Sequence, residues 1–134
     1  MSNLFVNHLA MATYQSIILI DDDPVNNLIN KRLISKMHIA QQVEVFLEAE
    51  NALLRINELS KNSKILILLD INMPVMNGWD FLNFYMEKFH YRKDKIVALS
   101  SSIEFQDRQK ALSYDIVQAF LEKPLTIEKM KSIL

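Results

Sequence analysis

Five short apolar runs, separated by longer stretches with helical periodicity, constrain this chain more than any other feature. They are IILI (17–20), VEVF (43–46), ILILL (65–69), IVAL (96–99) and AFL (119–121). The first, third and fourth are apolar without alternation, as a strand covered on both faces must be. Between and after them the periodicity predicts helices over 24–37, 49–59, 79–89, 104–113 and 127–134. In the first, Val25, Leu28, Ile29 and Leu33 are expected to face the core. In the second the inward set is Ala49, Ala52, Leu53 and Ile56, and in the third Leu82, Tyr85, Met86 and Phe89. Asp23 ahead of Pro24 reads as an N-cap followed by proline at the first helical position, and Thr126 reads as the cap of the last helix. A strand–helix alternation repeated five times predicts an α/β fold, an open parallel sheet with helices on both faces.

Composition fits one such unit. The chain has 134 residues, half of them hydrophobic, enough for a single core. Fifteen basic residues against sixteen acidic ones give no global field that would recruit nucleic acid or an anionic membrane. With no cysteine there is no disulfide, thiolate nucleophile or thiolate metal ligand. No Lys or Arg precedes Lys31, so the start lacks the charge of a signal peptide, and the apolar runs are far too short to cross a bilayer. A cytoplasmic location is therefore expected. Residues 1–14 read as an N-terminal extension and 15–134 as the folded domain. The one glycine, Gly78, follows MPVMN and is expected to supply a positive φ at the turn into the third helix.

In a parallel α/β sheet, ligands bind beyond the carboxyl ends of the strands, where strand order reverses. The first run is followed by Asp21, Asp22 and Asp23; the third by Asp70, then Ile71, Asn72, Met73 and Pro74. The fourth leads into Ser100, Ser101 and Ser102, and the fifth into Glu122, Lys123 and Pro124. Carboxylates, a hydroxyl and an ammonium thus converge on one edge. Asp21, Asp22 and Asp70 crowded together would raise one another's pKa unless a divalent cation neutralised them. All-oxygen ligands favour magnesium, with manganese as the alternative, while His8, His38 and His90 are too scattered to form a zinc site. A lysine and a hydroxyl at the same edge suit a transferred phosphoryl group, and Asp70 as nucleophile would yield an aspartyl phosphate.

The strings LIDDDP, LLDINMPVMNGWDFL, ALSSS and FLEKPLT, in this order, closely resemble the receiver domain of two-component response regulators over residues 16–134. The resemblance implies a flavodoxin-like (βα)5 three-layer sandwich with strand order 2-1-3-4-5. It implies an acidic pair at Asp21 and Asp22, a phosphoacceptor at Asp70, a metal-binding carbonyl at Asn72, a switch hydroxyl at Ser100 and a pocket lysine at Lys123. Phe120 takes the place of the switch aromatic, which is tyrosine in some members, and a cis Lys123–Pro124 bond would turn the lysine inward. The implied partners are a sensor histidine kinase or histidine phosphotransfer protein and a downstream protein target, with no direct nucleic-acid or membrane contact. The implied state is a monomer or a weak phosphorylation-dependent dimer. Because the sequence stops at Leu134, output is expected to pass through another protein, or the phosphoryl group to be relayed onward.

Plainer readings stand beside these. Asp80 and Asp94 read as surface charges, Ser102 as a turn residue, and the aromatic set Trp79, Phe81, Phe84, Tyr85 and Phe89 as core with a surplus that could meet a partner. A haloacid-dehalogenase-type phosphatase would want a second carboxylate two residues after its nucleophile, where this chain has Asn72. An unphosphorylated interaction module is the remaining alternative.

Overall fold

A computed structural model of the chain describes residues 14–101 and 104–134. Ser102 and residues 1–13 of the expected N-terminal extension lie outside them, while Tyr14, expected to end that extension, begins the first strand. Strands β1 (Tyr14–Ile20), β2 (Ala40–Phe46), β3 (Ile65–Asp70), β4 (Lys95–Ser100) and β5 (Val117–Glu122) alternate with helices α1 (Pro24–Met37), α2 (Ala49–Glu58), α3 (Gly78–Phe89), α4 (Phe105–Leu112) and α5 (Ile127–Ser132). All four strand pairings are parallel, in the order β2-β1-β3-β4-β5, the flavodoxin-like arrangement. The three uniformly apolar runs are the three central strands. β2 and β5, with polar residues interleaved, form the edges.

Alternation along each strand divides the core between the faces. Ile18, Ile20, Ile67, Leu69, Ile96, Ala98 and Phe120 pack with the inner sides of α2 and α3 and with Ala111 of α4. Ile17, Leu19, Leu66, Leu68, Val97 and Leu99 pack on the other face with Ile34 of α1, with Met130 of α5 and with Ile133 at its end. Burying one such side chain fully is worth about 1.5–3 kcal/mol.

Helix α2 buries the four residues the periodicity selects, but two helices differ from expectation. In α1, Val25, Leu28 and Ile29 are about half exposed, and Asn27, Asn30 and Ile34 face the sheet instead. Strand-end carbonyls need donors there, and the Asn27 amide supplies them to Asp21 and Phe46 where an apolar residue could not. In α3, Met86 faces outward and Phe81 inward.

Caps fix where the helices start. Asp23 accepts from the N–H groups of Val25 and Asn26, and Thr126 accepts from Lys129. Asn77 and Asp80 form a reciprocal capping box at α3. Asp94 is not a surface charge. It is buried between the Arg92 guanidinium at 2.7 Å and the Tyr85 hydroxyl at 2.5 Å, while Arg92 also donates to the carbonyls of Leu59 and Ser60. Burial, then the Asp94 carboxylate, pushes the Tyr85 hydroxyl's pKa up.

Gly78 has no positive φ; among the described residues that conformation belongs to His38, which ends α1. The glycine is needed for space. A Cβ on it would overlap the Cα of Ile71 and stand 2.9 Å from that residue's Cβ and Cγ2. The Gly78 N–H donates to the Ile71 carbonyl, so helix α3 starts pressed against the residue that follows Asp70.

Candidate functional site

Chain order reverses between β1 and β3. From β1 the chain moves outward to β2, then crosses back over β1 to β3. Ile20 pairs with Leu69, so the next residues, Asp21 and Asp70, end side by side at the switch point. One strand further, Asp70 pairs with Leu99, and Ser100 with Glu122 at the end of β5. The topology therefore brings Asp21, Asp70, Ser100 and Lys123 to one edge in the middle of the sheet.

Asp21 and Asp70 are buried there and Asp22 is exposed. Each of the three offers a carboxylate oxygen, and these oxygens lie within 4.8 Å of one another. The Lys123 ammonium bridges the buried pair, 2.7 Å from Asp21 Oδ2 and 3.1 Å from Asp70 Oδ2. The remaining oxygens take backbone donors: the Asp23 N–H reaches Asp21 Oδ1, and the Asn72 N–H reaches Asp70 Oδ1, both at 2.9 Å. The Lys123 N–H donates to the Ser100 carbonyl at 2.8 Å, and the Lys123–Pro124 peptide is cis.

The electrostatics follow from this crowding. Burial, reinforced by the charge of Asp21, holds the Asp70 carboxyl above its usual range, although the Asn72 N–H and Lys123 pull the other way. Burial works against the Lys123 ammonium as well, yet its hydrogen bond to Asp21 and the charges of Asp70 and Asp21 leave its pKa raised. One cation among three carboxylates leaves the edge acidic. A hard divalent cation fits such an oxygen-only set, with Asp21, Asp22 and Asp70 as the residues able to hold it. Ser100 is fully buried, and Phe120 is buried within the core rather than turned to solvent.

A cavity of about 250 Å³ opens beside Asp22, lined also by Leu47, Glu48, Met73, Pro74 and Val75. A wider apolar groove of about 550 Å³ runs between α2 and α3, sharing Glu50 and Met76 with that cavity, and takes in Leu54, Phe84, Phe89 and Tyr91. Part of the aromatic surplus of α3 faces that groove. Two polar groupings escape the sequence reading: Asn27 beneath the β1–α1 turn, and the Tyr85–Arg92–Asp94 cluster. Paired asparagines just inside a capped helix, and an Arg-x-Asp placed immediately before a strand, were the available signals.

This architecture is a known one. The family model of the response regulator receiver domain matches residues 17–134, and the chain belongs to that family, whose members are phosphoacceptor domains of two-component signalling rather than conventional enzymes. A two-component response regulator from Cytophaga hutchinsonii is similar in structure, with 30% identity, a TM-score of 0.83, and coverage of 90% of this chain and 94% of that one. The response regulator protein TrrA from Thermotoga maritima, in complex with Mg(2+)-BeF, shares the fold at 20% identity and a TM-score of 0.71, over 89% and 95% of the two chains. The probable C4-dicarboxylate response regulator DctR of Halalkalibacterium halodurans is 29% identical over 118 residues, 88% of this chain and 49% of DctR. The chain thus spans about half the length of that relative. No helix among the described residues is long and apolar enough to cross a membrane.

Proposed function

We infer that this chain is a phosphorylation switch in which Asp70 accepts a phosphoryl group from a phosphohistidine, carried by a sensor kinase or a histidine phosphotransfer protein. The observation that carries the reading is the Lys123 bridge between Asp21 and Asp70 within a three-carboxylate cluster at the sheet's switch point. Asp21, Asp22, Asp70 and the Asn72 carbonyl would hold magnesium, which when bound supplies positive charge to the phosphoryl oxygens. TrrA, which shares the fold, holds Mg(2+)-BeF.

The chain's own residues divide the remaining work. The Asn72 N–H orients Asp70 by fixing one carboxylate oxygen. An Asp70 oxygen forms the new bond to phosphorus while the bond from phosphorus to the donor imidazole nitrogen breaks; the imidazole leaves with the electron pair and takes up a proton. Lys123 exchanges its Asp70 partner for a phosphoryl oxygen, and Ser100 donates its hydroxyl to another. Because Phe120 already lies inside the core, its response to Ser100 is repacking beside β4 rather than entry from solvent. The donor's histidine must reach Asp70, so its body has to cover the neighbouring rim. Val25, Leu28 and Ile29 on α1, exposed by 60%, 49% and 55%, with Ile127 at the start of α5, offer the apolar surface for that contact.

The test is incubation with acetyl phosphate and magnesium, followed by intact-mass measurement. One base-labile phosphoryl group should be gained by the wild-type chain and none by Asp70→Asn or after chelation. An unchanged wild-type mass would sink the reading. Relay to a further histidine is distinguished from a terminal switch by whether labelled phosphoryl leaves Asp70 for a histidine phosphotransfer protein.

A further inference from the structure

We propose that Asn27 is the positioning residue of the acidic pair, acting through the backbone of Asp21. The proposal rests on the reading of Asp21, Asp22 and Asp70 as a cation site. Asn27 is 2% exposed, on the side of α1 that faces the sheet. Its amide Nδ2 donates to the Asp21 carbonyl at 2.9 Å and to the Phe46 carbonyl at 3.2 Å. The Phe46 carbonyl also accepts the Asp21 N–H at 3.0 Å. One side chain therefore joins the end of β1, the first turns of α1 and the end of β2, and Asp21 is held by both its N–H and its C=O.

The carbonyl matters because of peptide geometry. The Asp21 oxygen lies in one rigid plane with the N–H and Cα of Asp22. Fixing that oxygen fixes where the exposed Asp22 carboxylate leaves the backbone, and so its approach to Asp21 and Asp70. The amide's orientation is set by its partners: two carbonyl acceptors require the NH2 end, which turns Oδ1 away.

That Oδ1 is buried with no hydrogen-bond partner among the described residues. An amide oxygen in that position costs stability, and a leucine would remove that oxygen only by also taking the donor from the Asp21 carbonyl. Asn27 is therefore better explained by what it does to the turn than by packing, a local conflict of the kind that gathers at functional sites. It also lies on the buried side of α1, opposite the exposed Val25, Leu28 and Ile29.

The test separates positioning from stability by comparing Asn27→Leu with Ile34→Ala. Ile34 lies on the same helix, fully buried, in the core away from the turn. Magnesium alone is titrated into each full-length chain and followed by backbone amide NMR shifts, with urea unfolding measured in parallel. Asn27→Leu should weaken magnesium binding at least tenfold. Ile34→Ala should lose more stability and keep the wild-type affinity. Equal affinities in Asn27→Leu and wild type would overturn the proposal, as would an equal loss in Ile34→Ala. Asn27→Ala enters the same comparison if the leucine variant does not fold. Absence of saturable magnesium binding by the wild-type chain would overturn the cation reading, and this proposal with it.

Discussion

Lys123 and Asp70 face each other at 3.1 Å across the carboxyl edge of the sheet, and the same ammonium reaches Asp21 at 2.7 Å. Lys123→Ala strands two buried carboxylates, so the fold should lose about 2 kcal/mol at neutral pH, the scale of a hydrogen bond to a charged group. The native pKa of Lys123 lies above its ordinary 10.5. Its contribution is thus fully present below that value and is lost as the pH rises through the native one. Urea titrations of both proteins should differ at pH 7 and converge in strong alkali.

Asp70 carries the opposite sign. Its native pKa is raised above 3.8, so the folded chain binds this proton more tightly than the unfolded chain, and stability falls as pH rises between the two values. Asp70→Asn mimics the protonated acid and can still accept from the Asn72 N–H. The variant should therefore be more stable than wild type at neutral pH, and the gap should close below about 3.8, the ordinary carboxylate value. Thermal midpoints across pH measure it.

Neutralising the acidic edge should stabilise the wild-type fold. Magnesium at tenfold over its dissociation constant should add about 1.4 kcal/mol, the mass-action value for a ligand that binds only the native state. Chelation should remove the gain, and Asp22→Asn should reduce it with little effect on the metal-free protein, because Asp22 is exposed. Denaturant midpoints with and without magnesium give the comparison.

Gly78→Ala forces a methyl group into the backbone of Ile71. The cost should be about 3 kcal/mol, at the upper end for overpacking, since backbone rather than a flexible side chain must yield. Ile71 follows Asp70 directly, so acetyl phosphate should also modify the variant more slowly. A variant as stable as wild type would show that α3 can shift without strain.

Asp94 supports the opposite end of the molecule. Asp94→Ala leaves the buried Arg92 guanidinium without its carboxylate and should cost about 3–5 kcal/mol. Arg92 ties the α2–β3 connection to the start of β4, far from the acidic edge. The rate of Asp70 modification in the folded fraction should therefore remain unchanged.

How much of this is legible in the sequence depends on what each residue answers to. Strand identity was readable, because a central strand must be apolar on both faces and an edge strand need not be. The carboxyl-edge residues were readable from their place after the apolar runs, while the strand order came from family resemblance. The facing of α1 was not readable. Val25, Leu28 and Ile29 obey helical periodicity, but the turn beneath the helix calls for amide donors, and a hydrophobicity pattern does not register unmet carbonyls. Asp94 looks like any acid beside a strand until Tyr85, nine residues earlier, and Arg92 close around it. Gly78 was correctly tied to the loop after Asp70 but for the wrong reason: the constraint is a neighbour's atoms, not its own dihedral.

Every residue of β3 is buried and the strand is paired on both sides, whereas α4 has eight residues and buries Ala111 among them. In a native-state hydrogen-exchange experiment, the β3 amides should exchange only through global unfolding and those of α4 through local opening. Asp70 should thus stand on the slowest-exchanging of the described elements, with the helix after β4 among the cheapest to move. A covalent mark made on the fixed part can be expressed in the loose one without loosening the strand that bears it.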